Sequence, residues 1–245
     1  SAQNRYLLLQ HGRITHGFQL NDPEQRRRIT TYYAEGSGIH EAITNFPRKL
    51  RRIGVVGLGT GTTAAFGNKG DYVRIYEINS EVKRIATKHF SFVNDPRQEG
   101  GTVDIIMGDA RLSMENEPPQ KFDVLALDAF SSDAIPVHLL TREAFQTYLR
   151  QIRPDGVIAV HISNRYLDLR PVVERLAAEF GLSSVCISED SEANWWVYAT
   201  TWVLVSRDKA FLEGKDIRAA ADAPSVKSDG PLWTDDFASL YAILK

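Results

Sequence analysis

The hydrophobic pattern of this chain changes character near residue 50. Upstream, two short apolar-rich segments, 5–9 and 14–20, flank a turn at His11 and Gly12, which predicts a β-hairpin. Positions 23–45 read as helical, with a break at Gly36, Ser37 and Gly38. From residue 53 onward, apolar strand runs alternate with helical stretches. The runs 53–58, 72–78, 103–107, 122–127 and 156–162 predict strands. A short helix is expected after the glycine-rich turn at 57–61, and longer ones over 80–90, 136–152 and 170–180. This alternation predicts a doubly wound, mostly parallel α/β sheet. The last two strands, 183–188 and 199–206, have no helix between them, so they are expected to pair antiparallel. Positions 210–230 read as a polar loop, and 231–241 as an apolar-rich closing segment. The division that follows is a hairpin with a helical connector over 1–48 and a Rossmann-like catalytic domain over 49–245.

Apolar residues make up 43% and charged residues 24% of the chain, the balance of a globular protein with a full core. A formal net charge of −2 provides no global basic field for nucleic acid. The basic clusters at 26–28 and 48–52 are short and read as solvated faces. The single cysteine, Cys186, excludes an intrachain disulfide and a cysteine metal cluster, and its apolar setting reads as a core position. No apolar stretch approaches the roughly 18 residues needed to span a membrane. No signal-peptide pattern opens the chain, so the expected setting is reduced and cytoplasmic.

Candidate chemistry sits at the strand ends. The run 122–127 stops at Asp128, and Asp133 follows five residues later in a small-residue loop that leads to Pro136. Ligands of open α/β sheets lie outside the carboxyl ends of the strands, so two carboxylates there can face a cation or a proton. As purely structural groups, Asp128 would cap a turn and Asp133 would N-cap a helix. After the first sheet strand, Gly57, Gly59 and Gly61 form a Gly-x-Gly-x-Gly turn whose backbone can approach a ligand closely. The third glycine of the dinucleotide pattern falls on Thr62, so this motif alone does not separate a ligand loop from a tight turn. Glu77 ends the second strand twenty residues after Gly57, where an acid can accept from both hydroxyls of a ribose. Asp109, beyond the third strand, can accept from the exocyclic amine of adenine. Acids behind successive parallel strands suit a neutral adenosine joined to a cation, and would repel the two phosphates of a dinucleotide. An adenosyl sulfonium is therefore favoured over a nicotinamide cofactor.

Taken together, these residues resemble the spermidine synthase family of polyamine aminopropyltransferases. The closer resemblance is to the soluble synthase-like domain that some bacteria fuse to a multi-span transporter-like region. It runs over 5–237 and is carried by 11–19, the glycine turn with Glu77, 108–110, 128–136 with 138–145, 161–169, and 233–236. The resemblance implies a class I methyltransferase-like fold with an antiparallel last strand behind a small N-terminal β-domain, and a homodimer. It implies transfer of an aminopropyl group from decarboxylated S-adenosylmethionine to an amine such as putrescine, with release of methylthioadenosine. Carried over by residue, Gln19, Gly57, Gly59 and Thr60 would meet the donor, and Glu77 its ribose. Asp109, Ala110 and Pro136 would meet its adenine. Asp128 would accept the proton, Asp133 would bind the amine, and Tyr33 and Glu35 would stand near the amine channel. The chemistry is consistent: a primary amine, with a pKa near about 10 by analogy with lysine, needs a base before it can attack. The leaving group is a neutral thioether, which needs no metal.

Two positions depart from that family. Thr60 stands where the family's glycine loop usually carries an acid, and Ala34 where a histidine usually lies between Tyr33 and Glu35. Both changes remove polar contacts near the reacting amines. Asp235 and Asp236 could restore negative charge if the tail folds over the cleft. The family's β-domain also has a strand before the one at Arg5, so a domain cut from a longer, membrane-fused protein and a short parent gene are both open. No two of the six histidines show metal-ligand spacing; His16 and His161 are the best placed to line a cleft, and His161 equally suits a structural role. Trp195 and Trp196 read as a packing pair or a gate. A second function remains open, methyl transfer from intact S-adenosylmethionine, although Val55 stands where many methyltransferases carry an acid. A third is a non-catalytic ligand sensor coupled to a membrane partner.

Overall fold

The structure is a computed structural model that describes residues 5–11, 14–129, 136–190, 194–224 and 230–245. Strands β1 (Tyr6–His11) and β2 (Ile14–Leu20) form the expected antiparallel hairpin. Seven further strands build one sheet: β3 (Arg52–Val56), β4 (Tyr72–Glu77), β5 (Thr102–Met107), β6 (Phe122–Leu127), β7 (Ile152–His161), β8 (Ser183–Glu189) and β9 (Thr200–Ser206). Their order is β5-β4-β3-β6-β7-β9-β8. The pairs from β5 through β7 are parallel, and β9 runs antiparallel to both β7 and β8. From β3 the chain steps outward to β4 and β5, then returns to the other side of β3 to form β6. That reversal creates a switch point between β3 and β6, where open α/β sheets hold their ligands.

The sequence of β6 explains its central place. All its positions are buried, and consecutive side chains point to opposite faces. Leu125 and Leu127 join one apolar cluster with Phe145, Tyr148 and Val173; Val124 and Ala126 join the other with Ile39, Ile43 and Trp202. Helix α1 (Gly38–Thr44) covers the second cluster, while α5 (Arg142–Gln151) and α6 (Arg170–Glu179) cover the first. Helices α2 (Ser80–His89), α3 (Asn94–Gln98) and α4 (Ala110–Asn116) lie between the strands of the β3–β6 half.

Several expected elements differ. Positions 23–35 are turns and not helix: the Thr30 hydroxyl donates to the Phe18 carbonyl, and Thr31 takes a φ of 59° and bridges to Val197. Helix begins only at Gly38, where Ser37 accepts the His40 N–H as N-cap. The expected helix over 136–152 divides into a 3-10 turn (Val137–Leu139) and α5, because Thr141 is extended and caps α5 through the Ala144 N–H. The polar stretch after residue 208 is partly helical, as α7 (Lys209–Leu212) and α8 (Lys215–Ala220), which bury Leu212 and Ile217. The basic clusters are paired within the molecule, with Arg26 on Asp95, Arg27 on Glu99, Arg28 over the Trp196 ring, Arg48 on Asp155 and Arg51 on Asp71. Among the described residues, no helix is long and apolar enough to cross a membrane.

Candidate active site

The carboxyl ends of β3, β4, β5 and β6 open into a cavity of about 570 Å³, within the size range that takes small-molecule ligands. Gly57, Gly59, Glu77, Asp109, Ala110, Asp128 and Pro136 line it, and Leu9, Gln10 and His16 bring the hairpin to its rim. Trp195 stacks on Phe18 of that hairpin at 5.6 Å between centroids and lies 5.6 Å from Tyr6, so this tryptophan packs the hairpin in place.

The glycine loop is shaped by its neighbours. Gly57 has a φ of 100°, and a Cβ there would lie 2.5 Å from the Asp128 carbonyl oxygen. Its freedom from a side chain lets the ends of β3 and β6 stay side by side, joined by the Asp128 N–H to the Val56 carbonyl at 2.9 Å. Glu77 is buried, and its Oε2 accepts the Leu58 N–H at 3.0 Å while Oε1 accepts the Asn79 N–H at 2.7 Å. This acid ties the glycine loop to the end of β4, and each oxygen keeps further acceptor capacity. Asp109 caps α4 through Oδ1, which accepts the Leu112 N–H at 2.9 Å, and its Oδ2 lies 3.1 Å from His138 Nε2.

Asp128 is the centre of the site. Its side chain is 8% exposed. Oδ2 accepts the Tyr33 hydroxyl at 2.5 Å, and Oδ1 lies 2.7 Å from His161 Nδ1. The turn over 31–36 delivers Tyr33 to this position. Burial, and then the Asp128 charge, push the Tyr33 phenol well above its ordinary range. Burial, Tyr198 and Asp128 push Tyr32 up to about 12. Both phenols therefore keep their protons at neutral pH, so Tyr33 is a donor to Asp128 and does not compete with it for charge.

Other expected site residues lie elsewhere. Gln19 is buried but is not part of the cavity lining; its amide donates to the Arg26 carbonyl and the Ser91 hydroxyl and accepts the Ser91 N–H. Thr60 is buried with its hydroxyl 2.8 Å from that of Thr62, tight against Gly17, and it too is outside the lining. Glu35 is exposed. Asp235 is outside the cavity lining; Arg111 holds it through two hydrogen bonds of 2.7 and 2.5 Å, and the Thr141 hydroxyl donates to it at 2.8 Å. The Arg111 guanidinium keeps the Asp235 carboxyl below its usual range. The tail thus clamps α4 to the start of α5. Asp133 lies outside the described residues. His161 and Arg111 carry more of the arrangement than their sequence contexts suggest; only the strand-end place of His161 pointed to a cleft. Among the described residues, no group of three or more metal-ligating side chains is assembled.

A glycine loop behind β3, acids behind the neighbouring strands and an antiparallel β9 define a Rossmann-like sheet of the class I methyltransferase type. The structure of a probable spermidine synthase from Corynebacterium glutamicum matches with a TM-score of 0.68 over 90% of this chain and 79% of that one, at 19% identity. A polyamine aminopropyltransferase of Vibrio vulnificus is 31% identical over 121 residues, which are 47% of this chain and 39% of the relative. An N-terminal histidine N-methyltransferase of Emericella nidulans is 30% identical over 108 residues, 44% of this chain and 19% of the relative. The matched stretches therefore span well under half the length of these two relatives. No family model matches. The sequence match over part of the chain and the fold over most of it are both similar to proteins of the spermidine synthase type.

Proposed function

We propose that this chain transfers the aminopropyl group of decarboxylated S-adenosylmethionine to a primary amine such as putrescine, and releases methylthioadenosine. The observation that carries this reading is the setting of Asp128, a nearly buried carboxylate at a strand end that lines the cavity and receives a protein hydrogen bond on each oxygen. The cavity also suits the donor. Glu77 retains acceptor capacity for ribose hydroxyls, and in this reading Asp109, Ala110 and Pro136, which share the cavity lining, contact the adenine. In this reading Asp128 takes a proton from the acceptor ammonium. The freed nitrogen lone pair forms the new C–N bond, the C–S bond breaks, and its electron pair leaves on the sulfur of a neutral thioether. Asp133 and Glu35, by family resemblance, would serve the distal part of the amine.

The test is to incubate the protein with decarboxylated S-adenosylmethionine and a panel of diamines and to follow methylthioadenosine by mass spectrometry. Amine-dependent methylthioadenosine is expected, with Asp128→Asn lowering its rate by about 10²-fold or more. Donor binding without product on any amine would count against the reading. A second reading, methyl transfer from intact S-adenosylmethionine, is favoured by Thr60, whose hydroxyl is turned to Thr62 and leaves the glycine loop without a carboxylate that would repel the carboxylate of the intact donor. S-adenosylhomocysteine formation with intact donor would select it.

A further inference from the structure

The aminopropyl reading leaves one buried titratable side chain beside Asp128 without a role. In the parallel register Leu127 pairs with Val160, so the next residues, Asp128 and His161, stand side by side at adjacent strand ends. The His161 side chain is 4% exposed. Its ring stacks on Trp202 at 4.5 Å between centroids and 7° between planes. Nδ1 lies 2.7 Å from Asp128 Oδ1, while Nε2 lies 2.8 Å from the Ser163 hydroxyl and 3.0 Å from that of Thr200. Ser163 Oγ already accepts the Thr201 N–H at 2.8 Å, and its own hydrogen lies between Nε2 at 2.8 Å and Thr200 Oγ1 at 3.4 Å. An ionised carboxylate only accepts, so the ring proton belongs on Nδ1. The Asp128 carboxylate thus draws a ring proton to Nδ1, and the Trp202 stack fixes the plane of the imidazole.

We propose that His161 is a positioning residue for Asp128, a role that rests on the aminopropyl reading. Its Nδ1–H takes one carboxylate oxygen as the Tyr33 hydroxyl takes the other. Held by a single donor, the carboxylate could swing about its Cβ–Cγ bond; held by two, it presents its remaining lone pairs in one direction. Both donors favour the ionised form, which is the form able to accept a proton. The titratable groups around the pair, among the described residues, are the phenols of Tyr33 and Tyr32, the latter ring 5.5 Å from the imidazole, with Tyr198 beyond it. These phenols hold their protons near neutrality.

The test compares His161→Phe, which keeps a flat ring but has no donor, with His161→Asn, whose amide can return an N–H toward Asp128 Oδ1. In His161→Phe, kcat should fall about 10- to 100-fold with the donor KM within about twofold, less than the loss of the general base itself. The acidic limb of the pH–rate profile should move up by about one pH unit, the effect of removing one charge-assisted donor from a carboxylate. His161→Asn should recover most of both. A merely structural role would lower thermal stability and leave the acidic limb in place. Wild-type kinetics in His161→Phe, or no recovery in His161→Asn when both variants bind methylthioadenosine normally, would overturn the proposal. A readout independent of turnover is the ¹⁵N spectrum of the His161 imidazole in the unsubstituted protein. A proton on Nδ1 is expected near pH 7.5, and a ring protonated on Nε2 alone overturns the proposal. Absence of turnover on any amine defeats the aminopropyl reading by itself and leaves this spectrum to decide the pairing.

Discussion

Gly57→Ala probes the geometry that joins the glycine loop to Asp128. At a φ of 100°, a Cβ on residue 57 would lie 2.5 Å from the Asp128 carbonyl oxygen, 3.0 Å from its carbonyl carbon and 3.3 Å from the Ala129 Cα. These are backbone atoms, so no rotamer change relieves the contact. Gly181 is the matched control: its φ is 65°, and a Cβ there meets nothing within 4 Å. Alanine at 181 therefore carries only left-handed strain of about 1–2 kcal/mol, offset by roughly 0.4–1 kcal/mol from a less flexible unfolded chain. The net loss is about 1 kcal/mol. Alanine at 57 carries strain of about 1–3 kcal/mol and an overpacking cost of about 1–3 kcal/mol, with the same offset, for a net loss near 3 kcal/mol.

Urea unfolding at constant m value measures both losses. Methylthioadenosine affinity adds the functional half of the comparison. Because the clash displaces the backbone that carries Asp128, Gly57→Ala should bind methylthioadenosine at least about tenfold more weakly, and Gly181→Ala as well as the unsubstituted protein. Equal stability losses at the two sites, or unchanged affinity in Gly57→Ala, would refute the view that the loop's first glycine exists to let the β6 end approach.

Two further predictions concern single groups. Arg111 depresses the Asp235 carboxyl, so that group's contribution to stability is complete above its unfolded pKa near about 3.9 and is lost as pH falls through the lower folded value. The thermal stability gap between the unsubstituted protein and Asp235→Asn should be under about 1 kcal/mol at pH 6, since the pair is well solvated, and should close by pH 2; a gap that persists in acid defeats the assignment. Burial pushes the Cys186 thiol up to about 12, so a disulfide reagent at pH 8 should label it only after denaturation, and rapid labelling of the folded protein would contradict its core placement.

Most of the sheet was legible to within about two residues, because parallel central strands are apolar on both faces and so appear as solid runs, but β7 begins at Ile152, four residues before its expected start at 156. Strand β6 falls on its expected span, and β8 and β9 pair antiparallel as the missing connection between them implies. The failures share a physical cause. Positions 23–35 carry helix-compatible residues, yet the partners that decide their conformation are remote: Asp95, Glu99 and Trp196 for the arginines, and the Phe18 carbonyl for Thr30. Helices α7 and α8 are too short for a period to register, and each buries a single apolar side chain, Leu212 or Ile217. The split before α5 was in principle readable, since Thr141 with Glu143 and Ala144 resembles an N-cap, but Pro136 offered an earlier start.

The strand-end acids show why the structural and ligand readings of a sequence do not exclude one another. Asp109 caps α4 with Oδ1, and that bond leaves Oδ2 turned toward His138 on the cavity wall. Glu77 ties down Leu58 and Asn79 with one N–H on each oxygen, and the same bonds fix its carboxylate at the cavity edge. Asp128 takes a phenol and an imidazole in the same way. In each case local hydrogen bonds orient a carboxylate without exhausting it, because each oxygen can accept more than once. An acid at such a place therefore counts toward a site only when its neighbours at the other strand ends share the cavity. That condition separates Asp128, Glu77 and Asp109 from Asp235, whose motif match was as suggestive but whose charge is answered by Arg111.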